Sequence, residues 1–188
     1  PPRSTLFPYT TLFRSNLDEL YCQNNQLTSL DVSANTALTY LACQDNQLAS
    51  LDVSANTALT FLNVEGSNQL TSLDVSANTA LTVLFCYNNE LTSLDVSANT
   101  ALTLLDCSGN PLGSLDVSSN TALNELDCRN NQLTYLNMKN GVTDQLTDFN
   151  ATDNSNLTCI ETLDPDYATA NWTNRSEEHT SELQSHLN

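Results

Sequence analysis

Residues 70–90 read LTSLDVSANTALTVLFCYNNE, and this unit of 21 residues recurs along most of the chain. Its leucines keep register, because successive copies start 21, 22, 21 and 21 residues apart. A fixed period of about 20–29 residues with leucines in register predicts a solenoid, in which each unit forms one coil and contacts only its neighbours. The copies begin at Leu27, Leu48, Leu70, Leu91 and Leu112.

Each coil divides into two similar halves, as in LTYLACQDNQL at residues 38–48 and LASLDVSANTAL at residues 48–59. Both halves contain a short alternating stretch, L-x-C or L-x-V, which predicts a strand with one buried face. Asparagine then favours a turn, and its side-chain amide can bond the backbone of adjacent turns. We therefore expect two stacked asparagine ladders, one of Asn25, Asn46, Asn68, Asn89, Asn110 and Asn131, the other of Asn35, Asn56, Asn78, Asn99 and Asn120.

The composition excludes several classes of partner. The 188 residues carry 22 acidic and 5 basic side chains, for a net charge of -17 at pH 7. This charge argues against nucleic acid, whose binding requires a basic surface, and against anionic membrane surfaces. No apolar run approaches the roughly 18 residues of a membrane span, so membrane insertion is not expected.

The two ends of the chain share nothing with the repeat. Residues 1–15 read PPRSTLFPYTTLFRS, and residues 175–186 read RSEEHTSELQSH. Both resemble translations of the oligonucleotide adapters that are ligated to DNA for short-read sequencing. We therefore predict that residues 1–15 and 175–188 are adapter-like artefacts flanking a fragment, 16–174. That fragment has no histidine, the commonest general base and metal ligand.

The pattern L-x-x-L-x-(L/C)-x-x-N-x-L, in six or seven tandem copies, is the leucine-rich-repeat signature. With cysteine at the third apolar position and a 21-residue period, it resembles the cysteine-ladder type of bacterial internalin-like surface proteins. The resemblance implies a leucine-rich-repeat solenoid, a right-handed β-rich superhelix that is placed in the α/β class by convention. It also implies a parallel concave sheet, little or no α-helix in the repeats, and a secreted or bacterial cell-surface protein that binds other macromolecules.

The same resemblance predicts the domain organisation. Residues 16–160 would form an array of six to seven coils, and residues 161–174 resemble a partial C-terminal cap. The pattern is interrupted where Val64 replaces a ladder cysteine, where one coil carries an extra residue near Ser67, and in the looser coil that starts at Leu133.

The cysteines leave three alternatives open. Inward side chains on successive coils would lie about 4.8 Å apart, but their parallel directions suit the disulfide torsion poorly. Cysteine also packs as a small hydrophobe, and Val64 fills the same position without a thiol. We expect buried free thiols, with disulfides or a bound metal as the alternatives. The six residues are Cys22, Cys43, Cys86, Cys107, Cys128 and Cys159.

One aspartate per coil points outward from the LDV half. Such a column could hold calcium, which prefers several oxygen ligands. It lacks the glycine-rich nonapeptide of calcium-binding β-rolls, and nearby hydroxyls or amides can satisfy the acids, so we expect no metal. Five equivalent acids do not form a catalytic pair with different pKa values, so we expect no catalytic site and no cofactor. The column consists of Asp31, Asp52, Asp74, Asp95 and Asp116.

The outward positions beside L-x-C vary from coil to coil, whereas the LDV half is nearly identical in five copies. On one sheet these variable positions would join an aromatic zone to an acidic end. Exposed aromatic side chains on a rigid surface suit a protein interface or sugar stacking; drift after recent duplication is the alternative. The predicted partner-binding residues are Tyr21, Tyr40, Phe61, Phe85, Tyr87, Asp106, Glu125, Asp127 and Arg129.

The sequence therefore predicts a non-catalytic recognition or adhesion module that binds a protein partner through its concave face. A glycan-binding module that uses the same aromatic residues is the second hypothesis. The third is a passive spacer that holds another domain away from the cell.

Overall fold

The computed structural model describes residues 16–66 and 68–174, together with the backbone of residues 183–184. The adapter-like segments 1–15 and 175–188 lie outside these residues except for 183–184, and the extra residue near Ser67 also lies outside them. The assignment of both segments therefore stays a prediction.

Short parallel strands and one short helix make up the regular structure of the described residues. No helix among them has the length and apolar character that crossing a membrane requires. In chain order the elements are β1 (Glu19–Tyr21), β2 (Tyr40–Ala42), β3 (Phe61–Asn63), β4 (Val83–Phe85), β5 (Leu104–Asp106), β6 (Ser114–Asp116), β7 (Glu125–Asp127), β8 (Tyr135–Met138), β9 (Asp148–Asn150), β10 (Cys159–Thr162), α1 (Pro165–Asn171) and β11 (Leu183–Gln184).

A parallel sheet of seven strands runs along the solenoid in the order β1-β2-β3-β4-β5-β7-β9, with one strand from each coil. Adjacent strands pair in register, so that Leu62 lies beside Leu84 and Leu84 beside Leu105. These central residues are buried, whereas the residues on either side of them point outward. The predicted leucine-rich-repeat solenoid is confirmed, with parallel strands and almost no helix.

A second parallel sheet forms only towards the C-terminus, in the order β11-β10-β8-β6. The prediction of a strand in every LDV half is wrong for the copies at residues 51–53, 73–75 and 94–96. There the valine carbonyl accepts from a backbone N–H of its own turn and from the side chain of an asparagine in the next coil. Val53, for example, accepts from Asn78 Nδ2 at 3.0 Å.

The apolar side chains of the repeat form one continuous core from Leu27 to Trp172. In the central coils most repeat leucines, the valine of LDV and the ladder cysteine are fully buried. Each fully buried side chain contributes about 1.5–3 kcal/mol. A coil buries these side chains only against its neighbours, so the fold depends on stacking.

The cysteine ladder is part of this core. The ladder cysteines Cys22, Cys43, Cys86, Cys107 and Cys128 are free thiols in the structure, and Val64 fills one ladder position without any exposure. Burial raises the pKa of each fully buried thiol well above its usual range. These thiols therefore stay protonated at neutral pH and pack as small apolar groups. The fully buried members are Cys43, Cys86, Cys107 and Cys128.

Both asparagine ladders form, and both join each coil to the preceding one. In the first, Asn89 Oδ1 accepts from Leu70 N at 3.2 Å, and Asn89 Nδ2 donates to the Val64 carbonyl at 3.0 Å. In the second, Asn78 Nδ2 donates to the Asn56 carbonyl at 2.9 Å. The structure adds Asn154 to the first ladder and Asn140 to the second.

Each coil of the seven-stranded sheet also contains one left-handed residue shortly after its strand, which the sequence analysis missed. The φ angle is 53° at Asn88 and 65° at Gly109. Asn, Asp and Gly tolerate this conformation better than other residues. The signal is present in the sequence, because one of these three types precedes the ladder asparagine in six coils. The left-handed residues are Asn24, Asp45, Gly66, Asn88, Gly109, Asn130 and Asp153.

Residues 161–174, the predicted C-terminal cap, contain α1 and pack on the core through Ala168 and Trp172. The Asp164 side chain caps α1 by accepting from Tyr167 N at 2.9 Å. Trp172 follows the helix and lies against Phe149, with ring centroids 4.5 Å apart. Trp172 is only 4% exposed, so its ring is buried against the coil that contains Phe149, and the assignment of residues 161–174 as a cap stays a prediction.

Candidate functional site

The outward side chains of the seven-stranded sheet form columns that cross the coils. Each strand contributes its first and third residues to this surface. The residue two positions after the third one extends the row within the same coil. The register places Tyr40 beside Phe61 in the first column and Phe85 beside Asp106 in the second. Residues that are about 21 positions apart in the sequence therefore become neighbours on one surface.

Four aromatic rings on this surface form a continuous run. The rings of Tyr40 and Phe61 are stacked, with centroids 4.1 Å apart and planes 3° apart. Tyr21 lies 4.8 Å from Tyr40, and Phe85 lies 5.9 Å from Phe61 with its plane tilted by 60°. We call these four residues, Tyr21, Tyr40, Phe61 and Phe85, the aromatic cluster.

Mutual contact leaves these rings less exposed than the sequence suggested. Tyr21 is 56% exposed at the end of the run, and its hydroxyl donates to Glu19 Oε2 at 3.0 Å. The other three are half-buried, because neighbouring rings cover one another. The faces that Tyr40 and Phe61 turn towards each other are in contact, so a ligand has no access to those two faces.

Tyr87 lies two residues beyond Phe85 and pairs with an acid instead of with the ring run. Burial, together with a hydrogen bond and the charge of Glu65, raises the pKa of Tyr87 to about 12. The phenol therefore stays protonated at neutral pH and acts as a hydrogen-bond donor.

Four carboxylates lie on the same surface towards the C-terminus, and we call Asp106, Glu125, Asp127 and Asp148 the acidic end. The register places Asp106 beside Asp127 and Glu125 beside Asp148 on adjacent strands. Asp106 accepts from Ser108 N at 3.0 Å and from Ser108 Oγ at 2.6 Å. The structure thus brings together the three predicted acids and adds Asp148.

Arg129, the predicted basic member of the site, is paired within it. Its Nε lies 3.2 Å from Asp127 Oδ2. Burial raises the pKa of the Asp127 carboxyl, and the charges of Asp106 and Asp148 add to this, while the backbone N–H and the charge of Arg129 oppose it. The acidic end therefore holds carboxylates that repel one another and that one arginine only partly compensates.

Sequence reasoning missed Asp148 because the preceding coil has irregular spacing. Residues 146–154 read LTDFNATDN, which keeps the pattern L-x-x-L-x-C-x-x-N if Phe149 and Ala151 replace the usual leucine and cysteine. Both replacements are buried, at 6% and 0% exposure. The asparagine at the end of this stretch, Asn154, is the feature of the sequence that could have identified this coil and its outward residue Asp148.

A cavity of about 540 Å³ lies where the aromatic cluster meets the acidic end. Phe85 and Tyr87 line one side, and Asp106 and Arg129 line the other. Glu65 completes the acidic part of its wall. The cavity combines ring surface with carboxylate oxygens, which is the lining that suits a cationic or hydrogen-bonding side chain.

The aspartate column of the LDV halves lies on a different surface and is used locally. Asp74 Oδ1 accepts from Ser76 N at 2.9 Å, and the same turn recurs in each copy. Hydrogen bonds from Ser76 lower the pKa of Asp74. Among the described residues, no three His, Cys, Asp or Glu side chains gather as a metal site requires.

A sequence model of leucine-rich repeats, covering two copies, matches residues 15–56. Among solved structures, the functional domain of InlJ from Listeria monocytogenes, described as including a cysteine ladder, is 43% identical with a TM-score of 0.70. The match covers 79% of this chain and 35% of that one, so the chain spans about a third of the InlJ structure. A comparison with curated protein sequences gives no significant match.

Two further structures share the fold at lower identity. Internalin C2 from Listeria monocytogenes is 21% identical with a TM-score of 0.68, over 86% of this chain and 70% of that one. The ectodomain of the Arabidopsis thaliana receptor kinase GASSHO1/SCHENGEN3, solved in complex with CASPARIAN STRIP INTEGRITY FACTOR 2, is 23% identical with a TM-score of 0.64. That match covers 82% of this chain and 23% of the ectodomain.

The repeat, the coil geometry and the match to InlJ agree with one another. Each coil supplies one strand to the parallel sheet, and a ladder of cysteines runs beneath it, with Val64 and Ala151 in two of its positions. The chain is an internalin-like leucine-rich-repeat protein.

Proposed function

We propose that the protein is a non-catalytic recognition or adhesion module, secreted or displayed on a bacterial surface, that binds a protein partner. The binding surface is the outer face of the seven-stranded sheet, which is the concave face in leucine-rich-repeat solenoids. The observation that carries this proposal is the run of four aromatic rings beside the acidic end, on one surface. Leucine-rich-repeat solenoids commonly mediate protein interaction, and the matched GASSHO1/SCHENGEN3 ectodomain was solved in complex with its factor.

The geometry explains why such a surface would bind well. Its side chains stand on paired strands that are held by the asparagine ladders, so little backbone entropy is lost on binding. The rings of the aromatic cluster are ordered by stacking before a partner arrives, and aromatic residues often dominate interface energies. A passive spacer would not need aromatic and acidic residues to be concentrated on one face of the sheet.

A glycan ligand remains the second candidate, because aromatic rings also bind sugars. Sugar stacking uses the open face of a ring. The 4.1 Å stack of Tyr40 on Phe61 closes the faces that these two residues share. The arrangement therefore favours a protein, whose side chains can pack against ring edges, and a glycan array would separate the two candidates.

The proposal is tested by placing a photo-cross-linking phenylalanine derivative at one position at a time. Replacement of Tyr21 puts the probe on the proposed surface, and replacement of the exposed Thr79 puts it on another part of the same solenoid. We expect a protein adduct, identified by mass spectrometry, only from the Tyr21 position. Equal labelling from both positions, or labelling only at Thr79, would contradict the proposed surface.

A variant with Tyr40, Phe61 and Phe85 all replaced by Ala then measures affinity for the identified protein. We expect capture to be lost while circular dichroism still shows a cooperative unfolding transition. Unchanged capture by this variant would refute the role of the aromatic cluster.

A further inference from the structure

We infer that the partner segment recognised by this surface is cationic, with an arginine or lysine side chain that enters the cavity between Phe85 and Asp106. This inference rests on the proposed function and adds the chemistry of the partner. It is carried by three observations together, namely the charge balance of the surface, the register of its acids, and the ring-and-carboxylate lining of the cavity.

The described residues contain two basic side chains, Arg129 and Lys139, and both already have acidic partners. Arg129 pairs with Asp127 at 3.2 Å, and Lys139 pairs with Glu161 at 2.7 Å on the second sheet. No described cation is left for the other carboxylates of the seven-stranded sheet, so a partner with complementary charge would be positive.

The register concentrates this charge. Asp106 and Asp127 occupy the same column on adjacent strands, and Glu125 and Asp148 do so in the next column. Neighbouring strands lie about 4.8 Å apart, so the carboxylates interact at short range. The raised pKa of Asp127 reflects this repulsion in part. A bound cation would relieve this repulsion, and among the described residues of the seven-stranded sheet only Arg129 supplies a positive charge.

The aromatic cluster ends where the carboxylates begin. Phe85 lies directly beside Asp106 in the register, and its plane is tilted by 60° from that of Phe61, so it does not continue the parallel stack. Phe85 and Tyr87 line the cavity together with Glu65 and Asp106. A guanidinium or ammonium group there would contact ring and carboxylate at once, a combination that favours cations over neutral groups.

The acidic surface also explains how a cationic partner would be selected over others. The chain carries a net charge of -17, so a basic segment is attracted before contact and an acidic one is repelled. The aromatic cluster then contributes apolar contact, which charge alone does not provide. We expect a segment in which basic residues alternate with apolar ones.

The test uses the full chain and a phage-displayed library of random peptides of about 12 residues. Selected peptides are sequenced, synthesised and titrated against three proteins. The first is the wild type. The second is a site variant with D106N, E125Q and D148N, which leaves the Asp127–Arg129 pair intact. The third is a control variant with D52N, D74N and D95N, which removes the same charge from another surface.

We expect the peptides to be enriched in Arg and Lys next to apolar residues. Their affinity should fall about tenfold or more in the site variant, and also when NaCl is raised from about 50 to about 300 mM. The control variant should bind within about twofold of the wild type, because its exposed acids lie on another surface.

The outcomes separate this inference from the proposed function. Peptides that lose binding in a Y40A/F61A variant but show no basic enrichment, and bind the site variant as well as the wild type, would overturn the cationic partner alone. Equal loss in the site and control variants would show attraction to net charge only, which also overturns it. Failure to obtain any peptide that depends on the sheet surface would contradict the proposed function as well.

Discussion

A ladder asparagine forms hydrogen bonds to the backbone of the preceding coil, which the apolar leucines around it cannot form. Asn78 is fully buried, and its Nδ2 donates to two carbonyls of the preceding coil, those of Val53 at 3.0 Å and Asn56 at 2.9 Å. One amide therefore gives a second hydrogen bond to two buried carbonyls that also accept from backbone N–H groups of their own turn, and it joins the two coils. The sequence predicts this role, because asparagine recurs where the chain must turn inward.

Replacing Asn78 with Ala should destabilise the array. Two hydrogen bonds between coils are lost, each contributing about 0.5–1.5 kcal/mol, so we expect a loss of about 1–3 kcal/mol in the free energy of unfolding. The urea midpoint followed by circular dichroism measures it. Replacing the neighbouring exposed Thr79 with Ala should change stability by less than about 0.5 kcal/mol. Equal effects at the two positions would contradict the ladder's role.

At the left-handed positions, an added side chain should lower stability. Gly109 has a φ of 65°, and a Cβ there would lie 2.3 Å from Asn88 Oδ1. Gly109→Ala should therefore lower stability by about 1 kcal/mol or more. Gly113 lies four residues later and does not have a positive φ, and an added Cβ there would have nothing within 4 Å. Gly113→Ala should be neutral or stabilising by about 0.4–1 kcal/mol in the same thermal melts; the reverse ranking would refute this account.

At the scale of elements, the LDV segment of each coil ends in an aspartate–serine turn. Asp52, Asp74 and Asp95 are exposed, and each accepts from the backbone N–H of the serine two residues later at 2.9 Å. Hydrogen bonds from these serines lower the pKa of all three carboxyls. A turn that recurs in every copy therefore holds its acid in the charged form.

This column should make stability depend on pH. A carboxyl whose pKa is lower in the folded state stabilises the fold above its unfolded pKa of about 3.9, and that stabilisation is lost as pH falls through the folded pKa. We expect the thermal midpoint to fall between about pH 5 and pH 2. In the D52N/D74N/D95N variant the fall should be smaller, because the amide oxygen accepts the same bond without titrating. An unchanged slope would show that other acids cause it.

Strand pairing shows where element-level prediction failed. The L-x-C and L-x-V stretches have the same alternation, and both predict strands, yet only the former pairs in every coil. Local periodicity reports which side chains face inward. It does not report whether the backbone groups of adjacent coils come within hydrogen-bonding distance, which depends on how the coils stack.

At the scale of the whole molecule, we expect the end coils of the solenoid to be its least stable part. Each coil contacts its neighbours alone, so the outermost coil exposes one side of its core unless another segment covers it. We propose that Trp172 and α1 cover this side of the coil that contains Phe149, because the Trp172 ring is buried against Phe149. The stability of the last coils should therefore depend on Trp172 and α1.

Replacing Trp172 with Ala removes a buried ring and should cost the last coils about 3–5 kcal/mol. Hydrogen exchange should then become faster in residues 146–162 and stay unchanged in the central coils at residues 70–112. Trp172→Phe, which keeps a ring against Phe149, should restore most of the protection. Faster exchange spread evenly along the chain would contradict an end-specific role.

The repeat by itself determined the architecture, because a 21-residue period places leucine, cysteine and asparagine at the same depth in every coil. It also indicated which positions vary and therefore which surface to consider. The tertiary structure decided how those positions meet: Tyr40 and Phe61 cover each other's faces, Arg129 pairs with Asp127, and Asp148 joins the acidic end. The physical reason is that side-chain contact across coils depends on strand register and rotamer, which a period in the sequence does not contain.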